Sequence, residues 1–194
     1  MAGMLDRAKH EFGHYVSARN LGFMPGDVSV EIDGNKGGSV SIDTFRPIKS
    51  IDEMASFCED RIKVLYAGVQ SEALTAGRVD NKATLDLVAD TGQGDHMMVQ
   101  QLCNILRNIR YSDLPVGVGA SRMQDDERRL WNETKELVEA NARLICDLAQ
   151  ELYDRRAVHG MLAEFSEAEL NEHPLLKMPS SSSGSQALEI SSGM

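Results

Sequence analysis

No segment of the chain approaches the roughly twenty consecutive apolar residues needed to cross a bilayer, and its first residues lack the apolar core of a secretory signal. The expectation is a soluble, cytoplasmic protein with no membrane partner. Basic charge is also scarce, with 20 Lys and Arg against 30 Asp and Glu and a net charge of −10. Nucleic acids and anionic lipid surfaces both require a basic face, so neither is expected as a partner. Cysteine is confined to Cys58, Cys103 and Cys146, which are odd in number, far apart and in no Cys-x-x-Cys pair. They read as reduced, half-buried core residues, and nothing in their spacing supports a nucleophilic thiol. Nor does the chain contain a Gly-x-x-x-x-Gly-Lys-Ser/Thr phosphate loop, so it is not expected to use ATP itself.

What the chain does have is enough material for one core: 194 residues, 42% of them apolar. Residues 1–178 read as one mainly α domain of the α+β class with a small sheet, and residues 179–194, rich in serine, as a disordered tail. Ala8 to Leu21 carries a helical pattern that Gly22 stops. Val28 to Ile32 and Ser39 to Ile42 alternate apolar and polar residues, as strands do, and Asp33 to Gly38 form a turn-rich link between them. Ser50 and Glu53 make a capping box ahead of a helix whose apolar positions run on to a stop at Gly77. A short piece from Ala83 to Asp90 and a helix from about Asp95 to Ile109 follow. Tyr111 to Ala120 reads as a loop, then Ser121 and Gln124 open one long helix reaching roughly Arg156, and Ser166 with Glu169 caps a last short helix.

The chemistry is concentrated in His10-Glu11-Phe12-Gly13-His14. Residues four apart share a helix face, so the imidazoles of His10 and His14 can converge on one metal ion with Glu11 beside it. Neutral imidazoles leave most of the charge of Zn²⁺ uncompensated, and a water on such an ion falls in pKa to roughly 7. Glu11 is then placed to act as general base, taking the water's proton and passing it to a leaving amine. An exposed histidine pair on an amphipathic helix is the bland alternative, and it would hold zinc only weakly. Two histidines do not complete a catalytic site, so a third protein ligand must come from elsewhere. His159 and His173 lie in weakly patterned segments and read as surface residues.

Three segments in order, His10-Glu11-Phe12-Gly13-His14, Ala67-Gly68-x-x-x-Glu72-x-Leu74 and Thr91-Gly92-Gln93-Gly94-Asp95, resemble signatures of the FtsH peptidase domain. The resemblance spans about residues 5 to 173. It implies a zincin-type helical fold with a small sheet beside the zinc-binding helix, and a zinc endopeptidase that works on unfolded or flexible polypeptides. It implies His10, His14 and Asp95 as zinc ligands, with Glu72 the next candidate for the third position and Asp86, Asp90 and His96 close by. Glu72 has a second reading, as the carboxylate that holds the outer nitrogen of His10 or His14 and fixes its tautomer. Gly38, Ser39 and Val40 match the edge strand that takes substrate, and the family assembles as a homo-oligomer, a hexameric ring.

Departures bear on function. Only nine residues precede His10, where the FtsH proteases carry an ATP-driven module and a membrane anchor, so the expectation is a peptidase without its own ATPase or a piece of a longer protein. Val69 replaces the family's arginine after Ala-Gly, and Gly38-Ser39 its Gly-Tyr. The alternative function is a catalytically inactive zinc-binding domain, interacting with or regulating an FtsH-type protease.

Overall fold

The computed structural model describes residues 3–31, 37–159 and 162–177. It begins with α1 (Met4–Asn20), followed by β1 (Met24–Glu31), β2 (Gly38–Asp43) and α2 (Ile51–Glu72). A small hairpin of β3 (Leu74–Thr75) and β4 (Arg78–Val79) leads to α3 (Asn81–Val88), α4 (Gln93–Arg110), α5 (Val116–Ala140) and α6 (Ala142–His159). The chain then forms β5 (Leu162–Phe165), α7 (Glu167–Glu172) and α8 (Pro174–Lys177). The architecture is thus mainly helical with a small antiparallel sheet. Among the described residues, no helix is long and apolar enough to cross a membrane.

Two large apolar cores and a small third cluster of Ala18, Phe23 and Val64 pack around α1 and α2. The first collects Phe12, Tyr15 and Val16 of α1, Val28 and Val30 of β1, Ile145, Leu148 and Leu152 of α6, and Phe165 of β5. The second joins Cys58, Ile62 and Leu65 of α2 to Val99 and Leu106 of α4 and to Met123 and Leu130 of α5. Each fully buried side chain of this size is worth about 1.5–3 kcal/mol of transfer free energy, so the first core anchors α1 and the second anchors α2. Cys58 and Cys103 are buried and Cys146 is half-buried, all as free thiols.

The Ser50 cap is present, its hydroxyl accepting from the Glu53 amide at 3.1 Å, and so is the Ser166–Glu169 capping box. The expected helix end at Gly77 is not observed. α2 stops at Glu72, and Ala76 and Gly77 turn the β3–β4 hairpin with φ of 49° and 77°. Two consecutive positive φ values define the type I′ turn that suits a tight hairpin. The loop expected up to Ala120 is partly helix. Pro115 starts α5, since a proline at a helix start gives up an amide that has no intrahelical partner, and Gly119 is buried against the Tyr111 carbonyl.

The single long helix expected from Ser121 to Arg156 is two helices. At Asn141 the side-chain amide donates to the Leu137 carbonyl at 2.8 Å and the backbone turns to φ −108°, ψ 10°. The break lets α5 serve the second core with Met123 and Leu130 while α6 serves the first.

The sheet has the order β2-β1-β5, antiparallel throughout, so β2 is an edge strand. Val28, Val30, Ala163 and Phe165 point into the first core, as strand alternation requires. β5 was not expected from the sequence. Ile32 and most of the link between the first two strands lie outside the described residues, as does the serine-rich tail.

Candidate metal centre

His10, Glu11 and His14 occupy the buried middle of α1, each 6–7% exposed. Asp95 reaches them from the first turn of α4, whose N-terminus favours a carboxylate through its free amides and dipole. Asp95 Oδ2 lies 3.2 Å from His10 Nε2 and 3.2 Å from His14 Nε2. The two imidazoles stand edge to face, 4.8 Å between centroids, and one atom from each of His10, His14 and Asp95 falls within a 4.8 Å cluster.

This group could hold a metal ion, and its spacing fits a small one. Ligand bonds of 2.0–2.2 Å at tetrahedral angles place donor atoms about 3.3–3.6 Å apart, close to the two His–Asp separations. Two imidazoles and one carboxylate leave a tetrahedral ion one further position, the pattern of catalytic rather than structural sites.

The outer nitrogens of both rings are fixed. His10 Nδ1 lies 2.9 Å from Glu72 Oε2, and His14 Nδ1 lies 2.8 Å from the Val64 carbonyl. An Nδ1–H donated to each acceptor leaves both Nε2 lone pairs aimed at the shared point, which is the tautomer a ligand needs. Thr91 Oγ1 donates to Glu72 Oε2 at 2.7 Å and steadies that carboxylate. Gly68 makes the approach of α2 feasible, since a Cβ there would run into the His10 and His14 rings.

The electrostatics call for a cation. Burial alone would disfavour a protonated His10, but hydrogen bonds with Asp95 and Glu72 outweigh it and raise its pKa to about 10. Burial would likewise push the Asp95 carboxyl up, yet the two histidines hold it well below the usual range. Three acidic side chains, Glu11, Glu72 and Asp95, surround this pair of rings. Glu11 itself is pushed above its ordinary pKa, chiefly by burial.

Every residue singled out in the sequence as part of the site faces one cleft of about 600 Å³: His10, Glu11, His14, Glu72 and Asp95, with Gly38, Ser39 and Val40 of β2. Gly38 lies so near Glu11 that a Cβ on it would strike the Glu11 side chain. Of the competing ligands, Glu72 supports His10 instead of joining the cluster, and Asp86 and Asp90 are exposed. His96 turns its Nε2 to Gln100 at 3.0 Å. His173 is more buried than expected, bonded to Glu151 at 2.9 Å and packed edge-on to Phe165, while the side chain of His159 lies outside the described residues.

Sequence reasoning missed the Val64 carbonyl, which as a backbone group leaves no signature. It also missed the role of Thr91, although that residue heads one of the quoted segments. The chain matches no protein-family model and no curated protein.

Proposed function

We propose that the chain is a zinc-dependent endopeptidase of the zincin type, FtsH-like in its site, which cleaves unfolded or flexible polypeptides. The observation that carries this reading is the convergence of His10, His14 and Asp95, with Asp95 Oδ2 3.2 Å from each Nε2 and Glu11 alongside. A structural zinc site is closed by four protein ligands and has no use for a buried glutamate next to its histidines.

Zinc bound there supplies Lewis-acid polarisation of a carbonyl and a water nucleophile active near neutral pH. The chain's own residues do the rest. Substrate in extended form adds to the edge of β2 through main-chain hydrogen bonds, a mode that accepts many side chains. Gly38, lacking a side chain, brings that strand against Glu11 and so presents the scissile bond to the base. Glu11 takes the proton of the attacking water and delivers it to the departing amine. Its raised pKa suits a group that must both accept and return a proton. Glu72 and the Val64 carbonyl keep the two rings oriented through the cycle.

The test is metal content and casein cleavage measured in parallel for wild type, Glu11→Gln and Asp95→Ala. Glu11→Gln is expected to keep one zinc per chain and lose about 10²–10⁴ in rate, whereas Asp95→Ala loses the metal. Stoichiometric zinc without Glu11-dependent cleavage would instead favour an inactive zinc-binding interaction domain.

A further inference from the structure

Arg61 lines the cleft, and the proposed reaction gives its guanidinium no part. It lies on the face of α2 that also carries Val64, Leu65 and Glu72 into the cleft, with Gly68 under the imidazoles. Its neighbours in the charge pattern are satisfied: Asp60 pairs with Arg46 at 2.8 Å and with Lys63 at 3.0 Å. Arg61 has no carboxylate within ion-pair distance among the described residues, and its Nη1 is buried without an acceptor. Its guanidinium rests 5.7 Å from the centroid of the Phe23 ring, a contact that orients it but accepts no hydrogen bond. Burial lowers its pKa and the charge of Asp95 opposes that, so Arg61 leans electrostatically on the metal-site aspartate. A cation held by His10, His14 and Asp95 offsets the Asp95 charge and leaves Arg61 in need of another anion.

Resting on the peptidase reading, we propose that Arg61 is a specificity-determining residue that binds a carboxylate of the substrate polypeptide. A half-buried guanidinium with open donors matches a carboxylate in shape and charge, and such charge-assisted pairs are about twice as strong as neutral ones. Two rulers fix where the carboxylate falls. Arg61 and Gly68 are seven residues apart, about 10 Å along α2 at 1.5 Å per residue. On the strand side, Gly38 touches Glu11 while Ile42 packs with Phe23 and Val64 beside Arg61. The four steps of β2 from Gly38 to Ile42 span about 13 Å at roughly 3.3 Å each. A substrate strand lying along β2 therefore brings a carboxylate to Arg61 about three or four residues from the bond cut at Glu11. An acidic side chain and the free carboxylate of a chain end share this chemistry.

Fluorogenic peptides separate the two sources. One series places Glu or Gln at each of the positions two to five residues to either side of the cleaved bond, with amidated ends. A second compares free-acid and amide ends on the same neutral peptide. The zinc-loaded wild type is expected to favour one carboxylate position by tenfold or more in kcat/KM, carried mainly by KM. Arg61→Gln brings that ratio close to one, and Arg61→Lys, which keeps the charge but not the fork, gives an intermediate value, with zinc content unchanged in both. Equal treatment of every pair by the wild type overturns the assignment, and so does a preference that survives in a zinc-loaded Arg61→Gln protein.

Peptide binding to zinc-loaded Glu11→Gln, followed by fluorescence anisotropy, separates this inference from the activity it rests on. Arg61-dependent binding with no cleavage by the wild type sinks the peptidase and keeps the carboxylate site. Glu11-dependent cleavage blind to charge does the reverse, and neither binding nor cleavage sinks both.

Discussion

The molecule contains two dense groups of charged side chains, and they are built on opposite plans. On the outer side of α2, Glu59, Arg110, Asp126, Arg129 and Glu133 form a ring of mutual ion pairs, with Tyr111 donating to Asp126 at 2.8 Å. Every member of that ring is answered by another member. In the cleft, Asp95 lies 3.2 Å from both His10 and His14, Glu72 keeps one oxygen without a partner, and Arg61 keeps one nitrogen so. The outer ring is closed on itself; the inner group turns its ligand atoms toward one shared point. Charge density alone does not mark a functional site, whereas convergence of buried ligand atoms with fixed outer hydrogen bonds does.

Perturbing the supports of the inner group gives the largest expected effect. Glu72→Gln keeps the shape but weakens the acceptor for His10 Nδ1, and zinc affinity measured by chelator competition should fall about 10- to 100-fold. An unchanged affinity would place Glu72 in the fold rather than in the site. Thr91→Val acts one step further out by removing the hydroxyl that steadies Glu72. Loss of a bond worth about 1 kcal/mol predicts a drop of roughly fivefold in the same assay. If Thr91→Val matched Glu72→Gln in size, the ordering of supports outward from the rings would be wrong.

The outer ring should respond least. Arg129→Ala, at a side chain 42% exposed, is expected to cost at most about 1 kcal/mol in denaturant unfolding and to leave zinc affinity untouched. Acid sharpens the point. Burial would raise the Asp126 carboxyl, but hydrogen bonds from Tyr111 and Arg110 hold it below the ordinary value of 3.8. A depressed carboxylate stabilises the fold above its unfolded pKa and ceases to do so as pH falls through its folded one. The penalty of Arg129→Ala should therefore shrink below about pH 4. A penalty constant down to pH 2 would mean that the arginine contributes packing instead of charge.

Parts of this design were readable in the chain because their causes are local. The His10–His14 pair needs only helical spacing, and the Ser50 and Ser166 caps declare themselves by a glutamate three residues on. Asp95 required the resemblance, since α3 and its flanks offer Asp86 and Asp90 with equal chemistry and only the start of α4 aims a carboxylate at the rings. The break at Asn141 was hidden because Leu137, Val138, Ala142 and Ile145 keep the helical period straight through it. Two cores in different directions make that break useful, and the partners that complete them, in α1, β1, α2 and α4, lie far from it in the chain. β5 was hidden for the same reason: its inward pair, Ala163 and Phe165, is too short a pattern to stand apart from β1.

That last strand bears on the order in which the fold is completed during synthesis. β1 is paired on one side with β2, soon after it in the chain, and on the other with β5, where the Glu167 amide donates to Asp27 across 140 residues. All three candidate ligands emerge from the ribosome well before β5 does. The ligand group can form early, but the sheet beside it is finished only when the far strand arrives. Synthesis thus leaves the sheet beside the cleft incomplete until its far strand is made.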